Sequence, residues 1–489
     1  MQRPCFLTID IGSSSVRAGL YGHDAQPLRQ MSVRQDWSFQ QTADGGSVMD
    51  AEASLGVVCD VIDELLVKAA RSRVEITHIV MCSFWHSLMG VDRNGRPTTP
   101  VLGWADTRSG EYSAKLKKRF DETEVHDRTG AHFHSSFWPA KLLWIRNKLP
   151  QVFAATETWM GFGDFVALHL TGHPRTSVSM ASATGVFHQR SCDWDDELLR
   201  YLKITRKQLP YVSRSQESFP LSQTTIDRWP QLKNTHVLPG VGDGAADHIG
   251  SCGIGKDRAS LMVGTSAAMR IAYEGQAPRH VPQGLWCYRI DERRVIIGGA
   301  LSDGGNLYEW CARNLSLPLD ANEQLRHRPP EEHGVAVLPF FFGERSTGYR
   351  EHARGAILGV TAESDGLDIL QACMEAVAYR IAAISDRLTQ VAKPAIITAS
   401  GGALQRSAAW PQMIADVLGR EITLSLAEES ASRGTVLLAL ESLGKIDNIA
   451  SLEFPEGPTL AFDPARHASY KKGRARHEAA LSKAYGTES

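Results

Sequence analysis

Apolar and polar positions along the chain fall into short blocks that predict strands and helices in mixed order. Residues 6–11 (FLTIDI) form an apolar run, the polar turn GSSS follows, and alternation resumes in VRAGLY, which together predict a β-hairpin. Residues 51–70 carry apolar side chains at helical spacing and predict a helix with one buried face. A buried strand is predicted at 76–84, and residues 141–149 predict a helix that ends at Pro150. This mixture indicates an α/β protein.

The first hairpin pattern recurs in the second half of the chain. DIGSSSVRAGLY at 10–21 and MVGTSAAMRIAY at 262–273 each contain an apolar strand, a glycine, small hydroxyl residues, an arginine and further apolar residues. This repetition predicts two domains of related fold with a hairpin at the same place. The alternative is a coincidence of two Gly/Ser turns. A third glycine turn, SGGALQ at 400–405, follows a predicted helix at 368–391 and a predicted strand at 395–399.

Length and composition narrow the class of protein. The chain has 489 residues, enough for two or three domains, and its 43% hydrophobic and 22% charged content is ordinary for a soluble protein. A net charge of -2 gives no reason to expect nucleic acid or an anionic membrane as partner. No apolar run approaches the ~18 residues of a membrane span. The apolar part of the start, MQRPCFLTIDIG, is short for a signal peptide, so we expect none. Eight cysteines without CxxC pairing predict reduced, mostly buried thiols in a cytoplasmic protein.

Each glycine-rich turn has a functional and a structural interpretation. Backbone N–H groups and hydroxyls in such turns can hold phosphate, although either turn also suits an ordinary hairpin. The candidate phosphate ligands are Gly12, Ser13, Ser14 and Ser15 in the first turn and Gly264, Thr265 and Ser266 in the second. Asp10 ends the first strand, where it can hold Mg²⁺ through water or cap its own turn. Gly401, Gly402 and Ala403 suit a planar base against the backbone, or a packed helix.

Two aspartates lie four positions apart in GVGDGAADHIG, residues 240–250. The pattern predicts a helix start with Asp243 as N-cap. The functional alternative is a base that faces a cleft, with Gly244 and the other small residues giving clearance for a substrate. Asp247 falls one turn into the helix on the same face, so the alternatives are that it also faces the site or that it is an exposed helical side chain, and we expect the second.

The segment 82–109 is rich in groups that bind polyols. Trp104, Asp106 and Arg108 alternate after a short predicted strand, so their side chains are expected to point one way. An aromatic face, an acceptor and a guanidinium suit a hydroxylated or carboxylate ligand. The alternative is a structural Asp106–Arg108 salt bridge beside a core tryptophan. In the segment 338–359, Glu344 and Arg345 predict a Gly-bounded loop with a surface ion pair.

These motifs, in this order, resemble one family. From about residue 5 to 445 the chain resembles an FGGY carbohydrate kinase, of the actin/hexokinase-like (ribonuclease H-like) ATPase fold. DIGSSSVRAG resembles the first phosphate loop, WADTR the substrate segment, GVGDGAADHIG the catalytic-base segment, LMVGTSAAMR the second phosphate loop, and ASGGALQ the adenosine loop. The resemblance implies two such domains, at 1–247 and 248–489, with a cleft between them.

The resemblance also implies an activity and its residues. It implies ATP-dependent phosphorylation of a sugar or sugar-acid hydroxyl, with Asp243 as the base and with Mg²⁺ held by phosphates, Asp10 and Asp243. It places ATP on Gly12, Ser13, Ser14, Ser15, Arg17, Gly264, Thr265, Ser266, Gly304, Gly305, Gly401, Gly402 and Ala403. It places the acceptor on Trp85, His86, Ser87, Trp104, Asp106, Arg108, Asp243 and Gly244. A homodimer is the family-like expectation.

Within the family, the chain is most similar to the gluconate kinases. VLGWADTRS, TGAHFHSSFWPAKLLW, SMASATGVF and GERSTGYREHARGAILG resemble that subgroup. It departs from the subgroup at Trp85, where Met is usual, at residues 346–349, where Ser-Pro-Gly-Trp is usual, and at Asp303, where Asn is expected. We expect D-gluconate to become 6-phospho-D-gluconate. The alternatives are a xylulose or other sugar kinase, an actin- or chaperone-like ATPase switch, and an inactive sugar sensor.

Overall fold

The computed structural model describes residues 3–454 and 456–486. Within these residues the strands form two seven-stranded sheets, one in each half of the chain, together with several small sheets. No helix in this part of the chain is long and apolar enough to cross a membrane.

The first half contains sixteen strands and ten helices within the described residues. The strands are β1 Arg3–Ile11, β2 Ser15–Gly22, β3 Pro27–Asp36, β4 Gln40–Gln41, β5 Ser47–Met49, β6 Val74–Ser83, β7 Met89–Val91, β8 Val101–Leu102, β9 Thr158–Met160, β10 Arg175–Ser177, β11 Phe187–His188, β12 Asp193–Trp194, β13 Tyr211–Ser213, β14 Phe219–Pro220, β15 His236–Val237 and β16 Val241–Gly242. The helices are α1 Ala51–Ala69, α2 Gly110–Arg119, α3 Glu122–Thr129, α4 Trp138–Lys148, α5 Pro150–Ala155, α6 Phe162–Thr171, α7 Val178–Ser182, α8 Asp196–Leu202, α9 Gln223–Arg228 and α10 Asp243–Cys252.

The second half contains nine strands and seven helices in the part that the structure describes. The strands are β17 Gly255–Val263, β18 Ala267–Glu274, β19 Trp286–Arg289, β20 Arg294–Leu301, β21 Ala336–Leu338, β22 Ala356–Leu358, β23 Ile396–Ser400, β24 Ile422–Ser425 and β25 Glu456–Leu460. The helices are α11 Gly305–Asn314, α12 Ala321–His327, α13 Gly366–Leu388, α14 Gly402–Arg406, α15 Trp410–Leu418, α16 Ser430–Ser442 and α17 Pro464–Tyr485.

The first sheet has the strand order β14-β15-β6-β1-β2-β3, and β16 also pairs with β6. The predicted hairpin is β1 and β2, which pair antiparallel with Asp10 opposite Arg17, while β1 and β6 run parallel. The predicted strand at 76–84 and helix at 51–70 are β6 and α1. The helix predicted at 141–149 begins earlier, at Trp138, and Pro150 starts α5 as well as ending α4, because proline fits the first turn of a helix.

The second sheet has the strand order β19-β20-β18-β17-β23-β24-β25. Its hairpin, β17 and β18, pairs antiparallel with Val263 opposite Ala267, and β17 runs parallel to β23. Each half therefore places a parallel strand beside a glycine-turn hairpin, which confirms the predicted structural repeat and the α/β class. The helix predicted at 368–391 is α13, and the strand predicted at 395–399 is β23.

Helices α10 and α16 pack against each other between the two sheets. Helix α16 comes from the second half but contacts β1 and β6, whereas α10 comes from the first half and contacts β17 and β23. The predicted domain division between residues 247 and 248 falls inside α10. We propose that the division lies between Cys252 and Gly255 instead, since this keeps the helix whole.

Gly250 and Gly434 allow the close approach of these two helices. A Cβ on Gly250 would lie 1.8 Å from the Ser430 carbonyl oxygen, and one on Gly434 would lie 1.9 Å from that of Ala246. Gly250→Ala should therefore lower the free energy of unfolding by ~1–3 kcal/mol, as overpacked positions do. Urea unfolding measures this. Gly56→Ala on the exposed face of α1 is the control, since a Cβ there meets nothing within 4 Å and should stabilise the chain by ~0.5–1 kcal/mol. Equal midpoints for Gly250→Ala and wild type would contradict the argument.

The prediction that the thiols are unpaired and mostly buried is confirmed. All eight cysteines lie in the described part of the chain and are free, and seven of them are buried. Cys59, on α1, is partly exposed. All of these thiols are free, so packing of the cores and not disulfide bonding holds the fold together.

Candidate active site

A cavity of about 260 Å³ lies between the two halves of the chain. Both halves contribute to its wall, as the predicted cleft requires. The first half contributes Ser13, Phe84, Trp85, His86, Trp104, Asp243 and Gly244. The second half contributes Met262, Thr265, Ser266, Ala267, Ala268, Arg270, Trp286, Tyr288, Ala300, Ser302, Asn306 and Arg345.

Asp243 is the first residue of α10, directly follows β16 and lines the cavity. Gly242, and not Asp243, is the N-cap, so the predicted capping role is wrong. The Asp243 carboxylate accepts a hydrogen bond from the Gly244 backbone N–H at 2.7 Å. Burial raises the pKa of Asp243 to about 7, against the opposing charge of Arg270. A carboxylate that titrates near neutrality in a cavity is suited to accept a proton.

The glycines around Asp243 make room for an aromatic ring. A Cβ on Gly242 would lie 1.8 Å from the Trp85 indole, and one on Gly244 would lie 2.8 Å from it. The predicted clearance for a substrate is therefore filled largely by Trp85, which packs on the segment and donates its indole N–H to the Ser179 carbonyl. These small residues fix the wall of the cavity.

Asp247 is not an exposed helical side chain. Its carboxylate forms an ion pair with Arg270 at 3.2 Å and accepts a hydrogen bond from the Ser430 hydroxyl at 2.5 Å. Only 18% of the side chain is exposed. The expectation of exposure is wrong because β18 and α16, both distant in sequence, pack over this face of α10.

Asp10 lies near the end of β1 and is partly buried. The Cys82 thiol donates to its carboxylate at 3.2 Å, and burial raises the Asp10 pKa. Arg17, directly opposite Asp10 in the hairpin, forms an ion pair with Glu429 at 3.3 Å. Arg17 is thus turned towards the chain just before α16, and it is absent from the cavity wall.

The first glycine turn is closed by its own backbone. The Gly12 N–H donates to the Ser15 carbonyl at 2.9 Å, and the Ser14 carbonyl accepts from the Trp37 N–H at 3.1 Å. Ser13 is the member of this turn that lines the cavity.

The other three glycine segments come together on the opposite side. The Gly264 carbonyl accepts from the Gly305 N–H at 2.8 Å, and the Thr265 carbonyl accepts from the Asn306 N–H at 3.1 Å. Gly401 has φ of 106°, and a Cβ there would lie 2.3 Å from the Val263 carbonyl oxygen, so only glycine fits. The turn at 264–266 therefore contacts Gly304–Asn306 and the start of α14, as a shared nucleotide site would require.

His86 presents a hydrogen-bond acceptor to the cavity. Its Nδ1 lies 2.8 Å from the Ala183 carbonyl, and burial lowers its pKa to about 3. The ring is therefore neutral, with the proton on Nδ1 and a lone pair on Nε2. Ser87, by contrast, is buried outside the cavity and accepts from the Phe162 N–H, so its predicted contact with a ligand is not supported.

Asp106 and Arg108 form a structural ion pair away from the cavity. Residues 103–108 form turns and not a strand, so the prediction that Trp104, Asp106 and Arg108 point one way is wrong. Asp106 is buried, binds Arg108 at 2.5 Å and accepts from the Ser47 N–H. Only Trp104 of the three lines the cavity.

Arg345 is a cavity residue that sequence reasoning missed. Its predicted ion pair with Glu344 is wrong, because Glu344 is buried and binds Arg350 at 2.9 Å and Arg380 at 3.0 Å. Arg345 lies over the Trp104 ring at 4.3 Å and donates to the Leu301 carbonyl at 2.8 Å. Its Nε has no acceptor among the described residues. The signal that could have identified it is the segment GERSTGYREHARGAILG, which contains Arg345 and resembles the gluconate kinases.

A second cavity of about 210 Å³ adjoins the first. The two share Trp104, Ser302 and Arg345, so the stacked Trp104–Arg345 pair lies at the junction between them. Trp286 and Tyr288, also missed from the sequence, stack on each other at 4.5 Å and complete an aromatic wall. The combined space is lined by rings, hydroxyls, acidic side chains and four arginines (Arg270, Arg345, Arg350 and Arg354), which suits a polar acceptor.

Comparison with known proteins agrees with this geometry. The chain is 27% identical to a gluconokinase of Bacillus subtilis (strain 168), over 94% of this chain and 91% of that one. A gluconate kinase structure from Lactobacillus acidophilus has a TM-score of 0.89 at 25% identity, covering 99% and 98% of the two chains. A xylulose kinase from the same organism also has a TM-score of 0.89 at 25% identity, covering 98% of each.

The family assignment follows from matches along most of the sequence. Residues 5–250 match the N-terminal domain of the FGGY family of carbohydrate kinases, and residues 259–443 match its C-terminal domain. The chain therefore belongs to the FGGY family of carbohydrate kinases and is an ATP-dependent sugar kinase.

Proposed function

We propose that this kinase transfers the γ-phosphoryl group of ATP to a terminal hydroxyl of D-gluconate, giving 6-phospho-D-gluconate and ADP. The observation that carries the proposal is Arg345. No carboxylate of the described residues lies within ion-pair distance of its guanidinium, and its Nε has no acceptor among them. A cation in a cavity wall without a carboxylate partner favours a ligand that brings one. Gluconate carries one, and xylulose does not.

The neighbouring groups suit the rest of a sugar acid. Trp85, Trp104 and Trp286 line the cavity with apolar ring atoms that suit its C–H groups, and the Nε2 of His86 offers an acceptor to a hydroxyl. Asp243 would accept the proton of the attacking hydroxyl. The similarity to a gluconokinase and to a gluconate kinase structure supports the same acceptor.

The glycine turns would hold the nucleotide. Ser13, Thr265 and Ser266 line the cavity near Asp243, where their hydroxyls and backbone N–H groups can donate to phosphate oxygens. The segment 401–403 would border adenosine, and Gly304 and Gly305 would lie beside it. A cleft that closes on both substrates would exclude water and favour transfer to the acceptor over hydrolysis.

Asp10 and Asp243 are the carboxylates that would face Mg²⁺. The Asp10 charge raises the pKa of Asp243, so the two groups are close enough to interact. No group of three or more metal-binding side chains is present among the described residues. This arrangement fits Mg²⁺, which binds through one or two carboxylates together with substrate phosphates and waters. When bound with ATP, the ion offsets phosphate charge.

Turnover should depend on pH through Asp243. Since burial raises its pKa to about 7, the carboxylate is ionised above that pH and protonated below it. The kcat/KM for the acceptor, which reports the free enzyme, should fall about tenfold per pH unit below ~7, because the protonated acid cannot accept a proton. Rates between pH 5.5 and 8.5 measure this, with circular dichroism as the control for unfolding. A flat profile down to pH 5.5 would show that another group governs the step.

An acceptor panel tests the proposal directly. Gluconate, other aldonic acids, xylulose and glycerol are compared by kcat/KM in an ATP-coupled assay. We expect gluconate to be preferred over xylulose and glycerol. A preference for xylulose would overturn the proposed acceptor while leaving the sugar-kinase assignment in place.

A further inference from the structure

Arg270 brings a positive charge to the place where the Asp243 segment meets the hydroxyl-bearing turns. It lies on β18 opposite Gly298 of β20, and a Cβ on Gly298 would lie 3.0 Å from the Arg270 Cγ. The missing side chain leaves room for the arginine to extend along the sheet. At its far end, a Cβ on Gly244 would lie 3.3 Å from an Nη atom of Arg270. The guanidinium therefore lies beside the first turn of α10.

Two side chains from two helices hold Arg270 in this place. Asp247 accepts from the Arg270 Nη1 at 3.2 Å, and Ser430 donates to the other oxygen of Asp247 at 2.5 Å. Asp247 lies one helical turn beyond Asp243, so both carboxylates lie on the face of α10 that meets β18. Ser430 is the first residue of α16, so these two contacts connect α16, α10 and β18.

The guanidinium of Arg270 has N–H donors that the contact with Asp247 does not use. A guanidinium has five N–H groups, and the buried Nε of Arg270 has no acceptor among the described residues. The residue is 6% exposed and lines the cavity with Asp243, Ser13 and Thr265. A buried cation with spare donors is costly unless a ligand supplies acceptor oxygens. Phosphoryl oxygens match the planar fork of arginine.

We propose that Arg270 binds the phosphoryl oxygens during transfer and that Asp247 and Ser430 position it. The inference rests on phosphoryl transfer at Asp243, as in the proposed function. In that step the bond from the γ-phosphorus to ADP breaks and a bond to the acceptor oxygen forms. The hydroxyl proton passes to Asp243, while Arg270 stays protonated and stabilises the charge on the equatorial oxygens.

Arg270 and Arg345 have different partners in this proposal: Arg270 binds the phosphoryl group, and Arg345 binds the carboxylate of the acceptor. Arg270 lines only the cavity that contains Asp243, whereas Arg345 lines both cavities and stacks on Trp104 at their junction. The acceptor hydroxyl must meet Asp243, so a carboxylate at the other end of the acceptor lies nearer the junction. Arg270 is thus a catalytic residue, and Asp247 and Ser430 are positioning residues that act through it.

A double-mutant cycle tests this inference. The variants are Arg270→Met, Arg270→Lys, Asp247→Asn and the double variant Arg270→Met/Asp247→Asn, assayed on whichever acceptor the wild type phosphorylates best. We expect Arg270→Met to lower kcat about 10²-fold or more, with the KM values for ATP and acceptor within about threefold of wild type. Arg270→Lys should recover part of this loss, and Asp247→Asn should cost about tenfold.

The cycle separates a role through Arg270 from a general effect on folding. If Asp247 acts through Arg270, adding Asp247→Asn to Arg270→Met costs nothing further. Arg433→Met is the matched control, since Arg433 donates to the Gly250 carbonyl of the same helix but lies outside the cavity wall. It should keep kcat within about threefold of wild type.

The outcomes that overturn the inference differ from those that overturn the proposed acceptor. A kcat for Arg270→Met within about threefold of wild type removes the catalytic role. Additive losses in the double variant remove the positioning role of Asp247. If Arg270→Met does not fold, the kcat of Arg270→Lys tests the catalytic role, and the kcat of Asp247→Asn tests the positioning role. If the wild type prefers xylulose, only the proposal of gluconate as the acceptor is overturned. The inference on Arg270 is still tested, because the kcat values of the variants and the wild type are then compared with xylulose.

Discussion

Asp243→Asn should lower kcat by about 10³- to 10⁴-fold while gluconate and ATP still bind. The amide keeps the size of the side chain at the start of α10 but cannot accept the hydroxyl proton, and general-base catalysis is worth about 10²–10⁴-fold. The loss should appear in kcat with little change in KM, since the base acts in the transition state. Steady-state kinetics and calorimetric titration of gluconate measure the two quantities.

Asp247→Asn is the comparison for Asp243→Asn. Both carboxylates lie on α10 within one turn of each other, and Asp247 pairs with Arg270 without lining the cavity. We expect its loss of turnover to be about tenfold, far smaller than that of Asp243→Asn. Equal losses in the two variants would contradict the assignment of Asp243 as the base.

Arg345→Met should raise the KM for gluconate by about 10- to 100-fold. Hydrogen bonds to charged groups are worth about 1.5–3 kcal/mol, and removal of the cation leaves the acceptor carboxylate without its partner. The methionine retains an unbranched apolar side chain that can lie over Trp104. Turnover at saturating gluconate should change little, because this contact is made equally in the ground state and the transition state.

Two controls test whether the rise in KM for Arg345→Met depends on the charge of the acceptor. With an uncharged acceptor the Arg345→Met variant should keep its KM, since no carboxylate is present to lose. Arg206→Met removes an exposed arginine that pairs with Asp193 and Asp196, and it should leave gluconate kinetics unchanged. A rise in KM that is equal for gluconate and xylulose would show that Arg345 shapes the cavity without recognising charge.

The local pattern of the chain predicts the hairpins and principal helices well. The strand–glycine–hydroxyl–strand pattern depends on neighbouring residues, so β1, β2, β17 and β18 follow directly from it. The same holds for α1, whose apolar face is periodic over its whole length. The family resemblance, confirmed by the comparisons with known proteins, adds the cleft and excludes an actin- or chaperone-like switch as the better description.

Side-chain environments set by distant segments could not be predicted in this way. Asp247 is covered by β18 and α16, and Glu344 binds Arg380 from α13, which no spacing reveals. Trp104 lines the cavity and Arg108 does not, because residues 103–108 form turns where extended backbone was expected. The roles assigned to the nucleotide ligands and the homodimer stay predictions.

The buried thiols have a consequence for chemical modification of the protein. Thiolates react and oxidise, whereas burial raises the pKa of the Cys82 thiol, which also donates a hydrogen bond to Asp10. Seven cysteines share this protection from solvent, and Cys59 on α1 is the partly exposed exception. The enzyme should therefore work without added reductant. Cys59, which does not line the cavity, offers a single attachment point for a maleimide dye.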